Sequence, residues 1–187
     1  MASSLLILGG ARSGKSRFAV SGLSARARVT YVATAVAGDD DMAARIARHQ
    51  AERSPQWATV EAPYDLVASL ARALATADTV IVDCLTVWVA NLMLRGDSDE
   101  AILKDADGVA ALAAAPRVEL RVVSNEAGLG VHPPTVDGLR FRDLLGLVNQ
   151  RVAAASSRVV LMVAGLPHML KDTPPGSPFG APSREAP

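Results

Sequence analysis

Short, nearly continuous apolar runs alternate along the chain with longer stretches in which apolar residues recur every three or four positions. The runs are Leu5–Leu8, Val29–Ala33 (VTYVA), Ala58–Glu61, Thr79–Val82, Val118–Val123 and Val159–Val163. Unbroken apolarity over so few residues predicts strands buried on both faces. Between them the helical period predicts Lys15–Arg26, Asp40–Arg53, Tyr64–Ala77, Leu85–Leu94, Glu100–Ala114 and Arg142–Ala155. Leu66, Leu70 and Leu74 form one stripe of the third helix. The acidic start of Asp40–Arg53 suits the positive end of a helix dipole. Strands alternating with helices predict an α/β fold: a mostly parallel central sheet with helices on both faces. No internal repeat is evident. The segment DTPPGSPFGAPSREAP has little to bury, so the pattern predicts one domain over 1–171 and a disordered tail over 172–187.

Composition agrees with a single domain. Half of the 187 residues are hydrophobic and 20% are charged, enough to build a sizeable core. Lysine plus arginine equals aspartate plus glutamate, 19 each, so no broad basic field invites nucleic acid. The single cysteine, Cys84, excludes an intrachain disulfide and suits a reducing cytoplasm. MASSLLILGG lacks a basic leader and reads as a strand rather than a signal peptide. The apolar stretch Thr79–Leu94 is interrupted by Asp83 and Asn91 and followed by Arg95, so no membrane span is expected.

The chemistry begins at GGARSGKS, which fits G-x-x-x-x-G-K-[ST] from Gly9 to Ser16, after an expected strand and before an expected helix. Glycines let the backbone turn around phosphate oxygens without Cβ clashes. Successive N–H groups and the helix N-terminus then face negative charge. Lys15 is placed to bridge the terminal phosphates of a nucleoside triphosphate, and the Ser16 hydroxyl to hold Mg²⁺. Arg12 lies inside the loop, either on phosphate or simply exposed. Asp83, closing TVIVD, is the candidate second Mg²⁺ ligand, with helix capping as the alternative. These parts indicate a P-loop nucleotide-binding protein without naming its reaction.

In DDDMAARIARHQAERS, Met42, Ile46 and His49 share one helix face, with Arg45 and Arg53 a turn to either side of the histidine. Arginines can neutralise a phosphate while a neutral imidazole attacks phosphorus. By spacing alone, such a histidine more often serves packing or solvation than catalysis.

Taken together, the motifs resemble the bifunctional adenosylcobinamide kinase/adenosylcobinamide-phosphate guanylyltransferases of cobalamin biosynthesis. The likeness rests on GGARSGKSR at Gly9–Arg17, YVAT at Tyr31–Thr34, DDDMAARIARHQAERS, VDCLTVWVANL at Val82–Leu92, SNEAGLG at Ser124–Gly130, FRDLLGLVNQRVA at Phe141–Ala153 and LMVAGLPHMLK at Leu161–Lys171. The resemblance implies a RecA-like P-loop fold, a homotrimer, and two reactions. First, a nucleotide's γ-phosphate passes from ATP or GTP to the aminopropanol hydroxyl of adenosylcobinamide. Then GMP from GTP joins adenosylcobinamide phosphate, through a guanylylated histidine that falls on His49.

The resemblance also implies GTP contacts at Gly9, Gly10, Ala11, Arg12, Ser13, Gly14, Lys15 and Ser16, and at Thr34, Ala35 and Val36. Further contacts fall on Gln50, Ala51, Glu52 and Arg53, on Glu61 or Ala62, and on Asp83. Asn125, Glu126, Arg140 and Arg142 are candidates for positioning the corrinoid or its phosphate, with a salt bridge or cap as the alternative for each. Ala127 stands where the family commonly has valine, and VHPPTVDGL at Val131–Leu139 has little of the family's usual chemistry. Two other readings fit the P-loop: a different small-molecule kinase, or a nucleotide-dependent switch. The first gives no reason for His49 and SNEAGLG. The second lacks an N-K-x-D base-reading motif.

Overall fold

A computed structural model describes residues 2–24, 26–36, 50 and 53–173. Seven strands form one sheet: β1 (Ser3–Gly9), β2 (Val29–Ala33), β3 (Ala58–Glu61), β4 (Thr79–Asp83), β5 (Glu119–Val123), β6 (Arg158–Val163) and β7 (Leu166–Asp172). Their order is β3-β2-β4-β5-β1-β6-β7, and every neighbouring pair is parallel except β6 and β7. The helices are α1 (Lys15–Val20), α2 (Leu66–Thr76), α3 (Leu85–Arg95), α4 (Asp99–Ala114) and α5 (Val136–Ala155).

Alternation along the strands divides the core. Leu6, Leu8, Val32, Val80, Val82, Leu120 and Val122 pack with buried residues of α2, α3, α4 and α5. Leu5, Ile7, Tyr31, Ile81, Val123 and Val160 face the other way and pack with Ala19 of α1. Both faces of the central strands are therefore dry, which is why their sequences read as continuous apolar runs.

Several boundaries differ from the sequence expectation. Helix α1 stops at Val20, because Ser21 is extended and Gly22 has a φ of 68°. Helix α5 starts at Val136 rather than Arg142; the Thr135 hydroxyl accepts from the Gly138 N–H at 3.1 Å and caps it. Strand β7 was not expected. It is largely exposed, so it lacks the buried apolar signature, and it returns from β6 through Ala164 and Gly165 at φ 51° and 83°. It includes Asp172, the first residue of the expected tail, and the Thr173 N–H donates to the Ser157 carbonyl at 2.9 Å. Residues 174–187 of that tail, and 40–49, 51 and 52 of the expected second helix, lie outside the described residues. Among the described residues no helix is long and apolar enough to cross a membrane.

Candidate active site

Parallel strands bring their C-terminal ends to one edge, where open α/β sheets receive ligands. Gly9 ends β1, Glu61 ends β3 and Asp83 ends β4; Thr34 follows β2, and Asn125–Glu126 follow β5. The topology thus gathers the expected phosphate loop, acidic strand end and polar β5 terminus along one rim.

The loop itself has the expected backbone. Gly9 (φ 149°) and Gly14 (φ 95°) take conformations unsuited to a side chain, and a Cβ on Gly9 would lie 2.6 Å from the Met162 carbonyl oxygen. Arg12 is exposed and itself at φ 56°. The β6–β7 turn supports the loop from outside: the Gly165 N–H donates to the Ser13 carbonyl at 3.0 Å. Lys15 is 9% exposed, and its Nζ donates to the Gly10 carbonyl at 2.6 Å. The ammonium therefore folds back over the loop's hollow.

At the end of β4, Asp83 does not cap α3. Cys84 occupies the N-cap position without a side-chain bond, and the Asp83 carboxylate accepts the Tyr31 hydroxyl instead. Burial, reinforced by that carboxylate, holds the Tyr31 phenol far above its ordinary pKa, so the hydroxyl stays a donor. The Arg53 guanidinium lies 3.6 Å from the Tyr31 ring centroid. Arg53 also lines a cleft of about 720 Å³ with Gln50, Trp57 and Glu61.

Thr34 is fully buried, and its hydroxyl is committed to Cys84: it donates to that carbonyl at 2.8 Å and accepts that N–H at 2.9 Å. Its main chain is committed too, the N–H to the Asp83 carbonyl at 3.2 Å and the carbonyl to Asn91 at 2.8 Å, so Ala35 and the exposed Val36 are the accessible positions of this stretch. Glu61 is exposed, whereas Ala62 is buried and its N–H donates to the Ala33 carbonyl at 2.8 Å. Of the two alternatives, Glu61 has the accessible side chain. His49, Ala51 and Glu52 lie outside the described residues.

The β5 terminus is locked. Asn149, on the buried stripe of α5, donates to the Asn125 carbonyl at 2.9 Å and accepts from the Ser124 hydroxyl at 2.7 Å. The Asn125 N–H donates to the Thr86 hydroxyl at 2.7 Å, and the Glu126 N–H to the Gly9 carbonyl at 3.2 Å. Glu126 is thereby tied to the start of the phosphate loop. Arg140 and Arg142 are used otherwise. Arg140 bonds Asp99 and the Asp97 carbonyl, pinning α5 to the α3–α4 joint, and Arg142 pairs with Asp143 and His132. For these two the salt-bridge alternative describes the contacts. Asn91, which the sequence showed only as an interruption of an apolar run, donates to the Thr34 and Pro63 carbonyls at 2.8 and 3.1 Å and joins the loops after β2 and β3. Tyr31, Thr86, Asn91 and Asn149 were all missed as site residues. Their one sequence signal is a polar group at an otherwise apolar position.

The donors suit Mg²⁺. Ser16 and Asp83 offer only oxygen, the hard ligand this ion prefers. Among the described residues no group of three or more His, Cys, Asp or Glu forms a cage. Mg²⁺ commonly needs none, since phosphates and water complete its shell.

Comparison with known proteins adds to this geometry. A type III secretion ATPase superposes with a TM-score of 0.52 at 10% identity, over 85% of this chain and 50% of that one. A Pyrococcus horikoshii protein superposes with a TM-score of 0.54 at 6% identity, over 91% and 86%. Such distant likenesses speak for the fold alone, here that of a RecA-like P-loop NTPase. In sequence, the bifunctional adenosylcobalamin biosynthesis protein CobP of Pseudomonas aeruginosa is 43% identical over 90% of this chain and 98% of its own length. CobU of Salmonella typhimurium, of the same description, is 38% identical over 87% and 96%. A family profile described as cobinamide kinase / cobinamide phosphate guanyltransferase matches residues 5–170. With the phosphate loop, the acidic strand end and the β5 terminus on one rim, and this match over nearly the whole described fold, the chain belongs to the cobinamide kinase / cobinamide phosphate guanyltransferase family.

Proposed function

We propose that this enzyme phosphorylates adenosylcobinamide with ATP or GTP and then transfers GMP from GTP to the product, giving adenosyl-GDP-cobinamide and pyrophosphate. The observation that carries this reading is the shared rim: one phosphate loop, one acidic strand end and one tethered carboxylate, Glu126, beside it. In the kinase step the aminopropanol hydroxyl attacks the γ-phosphorus and the nucleoside diphosphate leaves. Lys15 exchanges its Gly10 carbonyl for phosphate oxygens, and the loop N–H groups hold the triphosphate in line. Ser16 and Asp83 would hold Mg²⁺, which would supply positive charge beside the phosphates.

In the transferase step the neutral imidazole of His49 attacks the α-phosphorus and pyrophosphate leaves. The substrate phosphate then displaces the histidine and carries GMP away. Two displacements replace one between highly charged partners. Arg53, stacked on the tyrosine that bonds Asp83, is the cation we assign to the α-phosphate. Cytoplasmic placement and a homotrimer belong to the same proposal.

Intact-mass analysis after incubation with GTP and Mg²⁺ tests the covalent step. A gain of one guanylyl group, mapped to residue 49 and labile in acid, is expected. His49→Ala should lose the label while retaining kinase turnover within about tenfold, since only one displacement uses the imidazole. Equal loss of both activities would refute this division of labour.

A further inference from the structure

Tyr31 sits at the centre of a contact that neither the P-loop motif nor the proposed histidine chemistry demands. It is 3% exposed and occupies β2 opposite Ile81 of β4, two residues before the Ala33–Asp83 pair. Residues two apart on a strand share a face, so the tyrosine side chain and the Asp83 carboxylate project to the same side of the sheet. Its hydroxyl donates to that carboxylate. Its ring face carries the Arg53 guanidinium at 3.6 Å. One rigid side chain thus touches the acid at the end of β4 and the base beside the open cleft.

Arg53 is incomplete as it stands. Its Nε and Nη1 atoms are buried with no hydrogen-bond partner among the described residues. Buried donors of a guanidinium are costly to leave unpaired. Stacking on an aromatic ring fixes the guanidinium plane while leaving its in-plane N–H groups to make bonds elsewhere. A phosphate oxygen accepts from such an N–H group in a charge-assisted bond. The cleft beside it, with Gln50, Trp57 and Glu61 on its walls, leaves room for a nucleotide. A phenylalanine at position 31 would fill the core and support the same stacking, so packing alone gives no reason for the hydroxyl.

We propose that Tyr31 is a positioning residue of the nucleotide site, its hydroxyl orienting Asp83 and its ring seating Arg53 so that the guanidinium is presented to a nucleotide phosphate. This rests on the nucleotide-transfer reading above. It predicts that Asp83 and Arg53 are coupled through a residue that touches no substrate. Removing the hydroxyl takes one bond from the carboxylate; removing the ring unseats the arginine as well.

The test uses the full chain and four variants: Tyr31→Phe, Tyr31→Leu, Arg53→Lys, and the Leu/Lys double. Equilibrium binding of a non-hydrolysable GTP analogue is measured beside covalent GMP labelling and kinase turnover, with circular-dichroism melts as the control for folding. Tyr31→Phe should weaken analogue binding by about threefold and slow both half-reactions alike, because it acts through Asp83. Tyr31→Leu and Arg53→Lys should each cut GMP labelling by about tenfold beyond any change in kinase rate, and the double variant should be little worse than either single. If Tyr31→Leu does not fold, Tyr31→Phe and Arg53→Lys still decide between the two accounts. Wild-type binding and kinetics in Tyr31→Phe, or additive losses in the double, would overturn the proposal and leave Tyr31 a core residue. A wild-type chain that binds the analogue yet takes no label would sink the transferase reading, while the binding cycle would still test the Tyr31–Arg53 coupling.

Discussion

Individual residues at the rim divide between those that meet a ligand and those that hold the first group in place. In the proposed reading Lys15 and Glu126 belong to the first class, and Thr34 and Asn149 belong to the second by their bonds. Gly9 does both jobs: its carbonyl ties Glu126 and its bare Cα lets the loop pass Met162. An added methyl would lie 2.6 Å from the Met162 carbonyl oxygen and 2.7 Å from the Ser13 hydroxyl, at a φ of 149°. Gly9→Ala should therefore cost about 2 kcal/mol or more, through backbone strain and displaced neighbours. A thermal melt several degrees lower, with GTP-analogue affinity reduced at least tenfold, is the expected pair of results. Unchanged affinity would mean that the loop tolerates the shift.

At the scale of elements, the short helix α1 depends on its neighbours. Six residues make a marginal helix in isolation. Arg121, on the α1 face of β5, donates from Nη1 to the Ala19 and Ser21 carbonyls at 2.8 and 2.7 Å and pairs through Nη2 with Glu119 at 2.7 Å. Its side chain is 10% exposed, so solvent replaces little of what it provides. Arg121→Met should destabilise the fold by about 3 kcal/mol, since a half-buried carboxylate and two carbonyls lose their partner. The urea midpoint should fall with the m-value unchanged. A midpoint within error of the wild type would show that α1 holds without this cap. Strand β7 makes a parallel point: its turn, through the Gly165 N–H, is a prop for Ser13.

For the whole molecule, the strand order β3-β2-β4-β5-β1 spreads the rim from Glu61 to Gly9 and sets β5 between the acidic strand and the phosphate loop. The opposite edge is held by bonds between distant segments, of which Arg28 with Asp78 is one, at 2.7 Å. Bonding to the Arg28 side chain and backbone pulls the Asp78 carboxyl down to about 2. A carboxyl depressed on folding adds stability above its unfolded value, near pH 4, and that contribution is lost as pH falls through about 2. The pair is exposed, so the effect is small and screened by salt. Asp78→Asn should flatten the acid limb of stability between about pH 4 and pH 2 at low ionic strength, and the difference from wild type should shrink in about 0.5 M salt. An acid limb of identical slope in both proteins would remove Asp78 from the account.

The chain's own pattern determined the α/β class, six of the seven strands, the phosphate loop with Asp83, and the family. Each is a local signal: apolar runs marking doubly buried strands, and motif residues close together along the chain. Tertiary structure decided the rest. Strand β7 is exposed and mixed in polarity, and its place depends on pairing with β6. Arg140 and Arg142 could be read either as substrate-positioning cations or as salt-bridge partners until α5 packed beside Asp99 and His132. The roles of Tyr31, Asn91 and Asn149 were not legible because their partners lie 52, 57 and 24 residues away. A polar group in an apolar run announces that it needs a partner, but only the folded sheet says which one.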